Sequence, residues 1–254
     1  MKHGLLITSA GISSRFSSSL GRESSKIIYH EGDPRFSLLG YQLRVAEELD
    51  IGPVILVLGY RSDEIGAFAT RYFPHLDLHI VFNERYRDWG SGYSLLLGVR
   101  KAKELEVEQA TFLEGDLVFE RQSLKKIVDS DRSVVTVQHE LIRSDRAVVV
   151  YTDTGGLIHY VYDTNHASLS IPVPFTKLGN SAQIWKFHDA QLLYSIAETQ
   201  EIAEHRGTNL VLVERYFQRL DPEKIAWVEV DGWVNCNTVE DYRQALPLMQ
   251  RMYG

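Results

Sequence analysis

Near the start of the chain an apolar run, Leu5-Leu6-Ile7, leads into Thr8-Ser9-Ala10-Gly11-Ile12-Ser13-Ser14-Arg15-Phe16, and Lys26 follows. Small residues after a strand let backbone N–H groups approach an anion with no side chain in the way. Arg15 and Lys26 add two positive charges to that setting. The chemistry suited to this combination is the holding of a polyphosphate, with Ser9, Ala10, Gly11, Ser13 and Ser14 forming the cradle. Taken singly, Arg15 and Lys26 read as solvated loop charges. The order of strand, small-residue loop, arginine and lysine favours nucleotide chemistry. The serines of this loop also predict a segment that moves before ligand arrives.

The elements that must position these residues alternate in type. Residues 4–8 read as a buried strand, and 36–50 as a helix with a broad apolar face built from Leu38, Leu39, Leu43, Val45, Ala46 and Leu49. Strands are expected at 53–58, 78–82 and 110–113, and helices at 63–72, 93–103 and 122–129. Such units argue for a mostly parallel sheet covered by helices. Strands without intervening helices follow at 133–138, 147–151 and 157–162, and they are expected to extend or cover one edge. Asp153-Thr154-Gly155-Gly156 is a hairpin turn signal. Residues 163–180 read as a loop over one end of the sheet, 183–187 as a strand, 190–200 and 209–220 as helices, 224–230 as a strand and 239–252 as a helix. Ligands of open α/β sheets lie at the carboxyl ends of the strands. The loop after Thr8, the Gly59-Tyr60 turn and the Glu114-Gly115-Asp116 turn therefore share one rim.

Composition narrows the class. The 254 residues are enough for one α/β domain with a large core. A net charge of −7 is the wrong balance for a nonspecific nucleic-acid binder. The one cysteine, Cys236, excludes an internal disulfide framework and a cysteine zinc cluster. No apolar run approaches the roughly 20 residues of a membrane span. The start of the chain lacks a signal-peptide pattern, so a cytoplasmic protein is expected.

Taken as an ordered set, the motifs resemble those of nucleotidyltransferases with a GT-A-like fold, of the nucleotide-diphospho-sugar transferase type. The signature Gly-x-Gly-Ser/Thr-Arg followed by Lys is similar to Gly11-Ile12-Ser13-Ser14-Arg15 and Lys26. Val57-Leu58-Gly59-Tyr60-Arg61 matches a strand ending common there. Asn83-Glu84-Arg85-Tyr86 with Gly92-Tyr93-Ser94-Leu95 resembles a segment of cholinephosphate and aminoethylphosphonate cytidylyltransferases. Phe112-Leu113-Glu114-Gly115-Asp116 stands where that family has a metal-binding aspartate. Asn235-Cys236-Asn237-Thr238-Val239-Glu240-Asp241-Tyr242 resembles its closing Asp/Asn-Thr-x-Glu-Asp-Leu motif. One departure is Ser13 in the place of the second glycine. Serine disfavours some positive-φ conformations, although its hydroxyl is available to a phosphate.

The resemblance implies a three-layer α/β/α single domain with a mixed, mostly parallel central sheet. Its nucleotide-binding part would cover about residues 1–130 and its acceptor-binding part about 131–254. It implies transfer of a nucleoside monophosphate, CMP from CTP by preference, to a small phosphate or phosphonate acceptor, with release of pyrophosphate. Arg15 would hold the pyrophosphate, and Lys26 the α-phosphate or the attacking oxygen. Asp116 with Asn237 would hold Mg²⁺ or Mn²⁺. Gly92 and Ser94 would lie on the nucleotide, Ser94 as a hydroxyl to the base, while Trp89 and Tyr93 are expected to pack. Both reactants are anionic, so the barrier is electrostatic and positional, and no general base is required. Tyr160, Tyr162, Asp163, Trp185 and Glu214 fall in the region where an acceptor pocket is expected. Two other readings remain open: a GT-A glycosyltransferase using Glu114-Gly115-Asp116 as its acidic pair, and a non-catalytic nucleotide-binding domain. The Arg15/Lys26 pair separates them, because a glycosyltransferase has no pyrophosphate to expel.

Overall fold

Alternating side chains along two short apolar strands organise the whole core. The computed structural model describes residues 1–142, 147–162 and 168–251. Strand β1 (His3–Ser9) pairs in parallel with β2 (Val54–Leu58), placing Leu5 opposite Val54. Leu5, Ile7, Val54, Leu56 and Leu58 pack on one face, and Leu6, Ile55 and Val57 on the other. Period-2 alternation in a strand covered on both faces produces this division.

The chain runs on through α1 (Ser14–Leu20), α2 (Leu38–Glu48), β2, α3 (Ser62–Tyr72), β3 (Leu78–Phe82), α4 (Ser91–Glu104), β4 (Gln109–Glu114), β5 (Leu117–Val118) and α5 (Arg121–Asp129). Then come β6 (Ser133–Gln138), β7 (Val149–Asp153), β8 (Ile158–Val161), β9 (Phe175–Phe187), α6 (Ala190–Glu198), α7 (Ile202–His205), α8 (Leu210–Gln218), β10 (Ile225–Glu229), β11 (Val234–Asn235) and α9 (Val239–Gln250). The main sheet has the order β10-β6-β9-β4-β1-β2-β3. Within it β3, β2, β1 and β4 are mutually parallel, β10 is parallel to β6, and β9 is antiparallel to both neighbours. Helices α2, α3, α5 and α9 cover one face; α4, α6 and α8 cover the other. This is the expected α/β/α sandwich with a mixed, mostly parallel sheet. Each core cluster draws on residues before and after position 130.

Three expectations need correction. The serine-rich stretch is not all loop, because residues 14–20 form α1, anchored by the fully buried Phe16. Residues 133–138 are not at an edge: β6 lies inside the sheet between β9 and β10. The hairpin β7–β8 alone is peripheral, and it attaches to the first half of β9. Residues 175–180 belong to β9, which begins eight positions earlier than expected. Residues 175–177 are exposed and this half lies along β7, so it lacks the apolar alternation that marks a core strand. The loop expected at 163–167 and the end of the last helix at 252 fall outside the described residues.

At the amino-terminal end of β1, His3 Nε2 lies 2.8 Å from Thr111 Oγ1. Burial, reinforced by the charges of Lys186 and His188, holds the His3 imidazole down at about 4. As pH falls below 6.5 the unfolded chain takes up a proton that the folded protein refuses, so stability drops until pH reaches about 4. The total is about 3 kcal/mol for this one group. Thermal unfolding followed from pH 7 to pH 4 should show a smaller loss for His3→Gln than for the wild type. Parallel curves would remove His3 as the cause.

Candidate active site

The turn after β1 is built by close backbone approach. Tyr60 N–H donates to Ala10 O at 3.1 Å, and Gly115 N–H donates to Thr8 O at 2.9 Å. A Cβ on Gly115 would stand 1.9 Å from Ser9 Oγ, so only glycine fits there. Ser13 caps α1 with φ 57° and ψ 33°. It adopts the left-handed conformation itself, where the family signature has glycine, and its Oγ accepts the Lys26 N–H at 3.3 Å. Ser13 thus ties down the lysine segment, and Ser14 sits exposed on the first turn of α1.

The far end of the chain reaches the same rim through a two-rung ladder. Strand β11 pairs antiparallel with β5, setting Asn235 opposite Leu117, and Cys236 N–H donates to Asp116 O at 2.8 Å. Thr238 and Asp241 form a capping box that starts α9, and Asp241 Oδ2 also accepts the Asn237 N–H at 3.0 Å. Asn237 Nδ2 donates to Asn235 Oδ1 at 2.6 Å, and Asn235 Nδ2 donates to Gln183 Oε1 at 2.7 Å. An amide whose nitrogen is committed in this way turns its oxygen to the other side. Two cations meet that oxygen. Arg15 Nη2 donates to Asn237 Oδ1 at 3.0 Å, and Lys26 Nζ at 3.2 Å. Lys26 Nζ also pairs with Asp116 Oδ2 at 2.7 Å, with both side chains more than four-fifths buried. Asp116 Oδ1 is buried without a partner among the described residues. Arg15, Lys26, Asp116 and Asn237, spread over 222 positions, therefore form one hydrogen-bonded cluster. Of the two asparagines it is Asn237 that faces the cations; Asn235 orients it.

A cavity of about 250 Å³ opens beside this cluster. Ser9, Ala10, Gly11 and Lys26 line one side, and Asn83 and Ser94 the other. Asn83 Nδ2 donates to Ser94 Oγ at 2.9 Å, so the Ser94 O–H remains free to donate. Trp89 lines the cavity as well as packing, with the guanidinium groups of Arg85 and Arg206 at 5.7 and 5.4 Å from its ring. Tyr93 meets Trp89 edge-on at 4.8 Å. Gly92 does not reach the cavity. It lies inside α4 against the carbonyls of Glu204, Gly207 and Thr208, where a Cβ would stand 3.0–3.1 Å from their oxygens. The segment responsible, 204–209, carries no motif of its own and docks through Gly90 N–H to Arg206 O, Gly92 N–H to Gly207 O and Asn209 N–H to Ser91 Oγ. Glu114 is on the cavity wall and accepts from Asn209 Nδ2 at 2.5 Å. Burial, then the charge of Asp116, pushes its carboxyl up to about 7, against the pull of Asn209 and Lys26.

A second cavity of about 590 Å³ lies on the other side of the cluster, walled by Arg15, Asn180, Gln183, Trp233, Asn237 and Glu240 among others. The residues expected near an acceptor are elsewhere. Trp185 is fully buried, stacked on Phe112 at 5.3 Å, and its indole N–H donates to Tyr160 OH. Glu214 accepts the Tyr160 N–H and contacts His159, and Tyr162 packs against the same α4/α6/α8 core. Asp163 falls outside the described residues. Nothing in sequence spacing separates these core residues from pocket residues; the reversed direction of β9 does so in space.

The comparisons follow this geometry. A family model described as "Domain of unknown function (DUF6564)" matches residues 22–249. A CMP-5'-(3-aminopropyl)phosphonate synthase of Streptomyces rubellomurinus is 24% identical over 163 residues, which are 64% of this chain and 25% of that protein. The chain thus spans about a quarter of that relative's length. Among solved structures, a Bacillus anthracis protein assigned as a glucose-1-phosphate thymidylyltransferase superposes with a TM-score of 0.71 at 14% identity, covering 97% of this chain and 95% of its own. The CTP:phosphocholine cytidylyltransferase of Streptococcus pneumoniae superposes with a TM-score of 0.64 at 16% identity, covering 98% of this chain and all of its own. These likenesses establish that the chain has the GT-A-like fold of those two structures. Among the described residues no helix is long and apolar enough to cross a membrane, and no three His, Cys, Asp or Glu side chains cluster as a metal site.

The cavity wall depends on Gly90, where a Cβ would stand 2.1 Å from Gly207 O and 2.8 Å from Arg206 O. Both obstacles are backbone, so Gly90→Ala should push the 206–209 segment off α4. Overpacking of this kind costs about 1–3 kcal/mol. Hydrogen exchange should show faster amides at Gly92 and Asn209, with β1 and β2 unchanged. Unaltered exchange at both amides would mean that the segment is held by other contacts.

Proposed function

The chain belongs to the DUF6564 family, and we propose that it is a nucleotidyltransferase. It would transfer CMP from CTP to a small phosphate or phosphonate acceptor and release pyrophosphate. The observation that carries this reading is the Arg15–Asn237–Lys26–Asp116 cluster standing between two cavities. The smaller cavity, walled by hydroxyls and amides, suits a nucleoside. The larger one opens where an acceptor oxygen would approach the α-phosphorus. Two cations converging on one rim suit a pentavalent crowding of negative charge and serve no purpose in a site that binds a neutral ligand. They also favour expulsion of pyrophosphate over glycosyl transfer. The preference for CTP is supported by the names of the Streptomyces relative and the Streptococcus structure. The fold alone leaves the base open, since the Bacillus neighbour is named for a thymidylyl group.

In the reaction the acceptor's ionised oxygen forms a bond to the α-phosphorus, and the bond from that phosphorus to the bridging oxygen of pyrophosphate breaks. Arg15, on the exposed turn of α1, would hold the departing pyrophosphate. Lys26 would leave its partner Asp116 and neutralise the α-phosphate. The buried, unpartnered Asp116 Oδ1 and the Asn237 oxygen form a donor set that fits Mg²⁺ or Mn²⁺ carried in on phosphate oxygens. Such an ion would supply charge neutralisation on the phosphates.

Pyrophosphate release assayed with each of four triphosphates and a panel of phosphorylated and phosphonate acceptors tests the reading. CTP should give the highest rate, and excess EDTA should abolish it. Arg15→Ala should lower kcat/KM about 10²-fold with little change in Tm, because the residue is exposed. Lys26→Ala should lower both, because it strips the buried Asp116 of its counter-ion. Asp116→Asn should nearly eliminate turnover. Full activity in EDTA would exclude the metal, and full activity of Arg15→Ala would remove that residue from the site.

A further inference from the structure

Glu114 faces a cavity that the paired Lys26 and Asp116 line as well, at a site offered for a polyanion. Register puts it opposite Thr8, and alternation along β4 turns it with Phe112 toward α4 and α8. Its Oε1 accepts from Asn209 Nδ2 at 2.5 Å, and the buried Asn209 is itself held by Ser91 Oγ at 3.1 Å. Its Oε2 accepts no hydrogen bond among the described residues. A carboxylate so placed repels phosphate oxygens and is costly unless a donor reaches it. In its ionised form Glu114 calls for a donor; a triphosphate has none at neutral pH, whereas the nucleoside has hydroxyls to offer. Position narrows it further. Glu114 shares the cavity wall with Lys26 and Asp116, beside which the phosphates would lie, and with the Asn83–Ser94 pair. The sugar is the part of a nucleotide that falls between phosphate and base.

We propose that Glu114, oriented by Asn209, determines specificity for ribonucleotides by accepting a hydrogen bond from a ribose hydroxyl. The inference rests on the nucleotidyltransferase reading. A site built around a hydroxyl rejects the analogue lacking it, because its own polar group is then left unpaired. The test compares kcat/KM for pyrophosphate release with CTP, 2'-deoxy-CTP, 3'-deoxy-CTP and UTP in the wild type, Glu114→Gln and Glu114→Ala. The wild type should prefer CTP to one of the deoxy analogues by tenfold or more. Both variants should lose rate with CTP and keep that with the disfavoured analogue, so the ratio falls toward one, furthest in Glu114→Ala. The CTP/UTP ratio should not move. A wild type indifferent to both hydroxyls, a variant that slows every nucleotide equally, or a change confined to CTP/UTP would each overturn the role of Glu114 while leaving transfer intact. No pyrophosphate release from any nucleotide by the wild type would instead overturn the transferase reading, and this inference with it.

Discussion

The short ladder between β5 and β11 is the constraint on which the site depends. Two residue pairs, Val118 with Val234 and Leu117 with Asn235, join the end of the sheet's central region to the last turn before α9. Without them Asn237 would have no fixed relation to Asp116, and the cations on α1 and after it would have no common target. The ladder is reinforced from both ends. Cys236 N–H reaches Asp116 O, and the capping box fixes the backbone at Thr238. So little pairing would not persist alone. It survives because Leu117, Val118, Cys236 and Val239 are buried in the core shared by α2, α5 and α9.

The charge balance of the cluster follows from the residue types brought together. One guanidinium and one ammonium group share one amide oxygen, and only the ammonium has a carboxylate partner. An aspartate at position 237 would have made the group neutral in sum; the asparagine leaves it positive. A positive rim attracts a polyphosphate, while a single carboxylate gives a bare divalent cation a poor hold. The Asn235–Gln183 contact completes this arrangement by fixing which way the Asn237 amide faces. The asparagines are therefore a chain of orientation that ends in the strand β9.

Much of this was legible in the chain, for identifiable reasons. The parallel core announced itself through apolar runs such as Val54–Leu58, and the loop that lines the smaller cavity through small residues followed by Arg15 and Lys26. The order of motifs carried Asp116 and Asn237. The helix α1 was not legible, because three consecutive serines are weak helix formers and its hold comes from Phe16 in the core. The segment 204–209 was invisible for a similar reason. Its value lies in carbonyls that meet Gly90 and Gly92, and backbone contacts leave no side-chain pattern. Gln183 and Trp233 line the second cavity through the direction of β9 and the path into β11, which residue types alone do not specify. Gly92 was misplaced because a glycine that admits a neighbouring backbone resembles one that admits a ligand.

The reversed strand β9 has one more effect. Every other strand of the main sheet path delivers its carboxyl end to the rim, whereas β9 delivers residues from its beginning and middle, Asn180, Ser181 and Gln183. That half of the strand is stitched to the β7–β8 hairpin, and the hairpin makes no part of the smaller cavity's lining. The two halves of the site thus belong to separately mutable segments of chain. Substitutions in the hairpin and the first half of β9 can remodel the wall of the larger cavity while β1, α1 and β4 stay as they are. A scaffold divided in this way lets the wall of the larger cavity vary while the lining of the smaller one is kept.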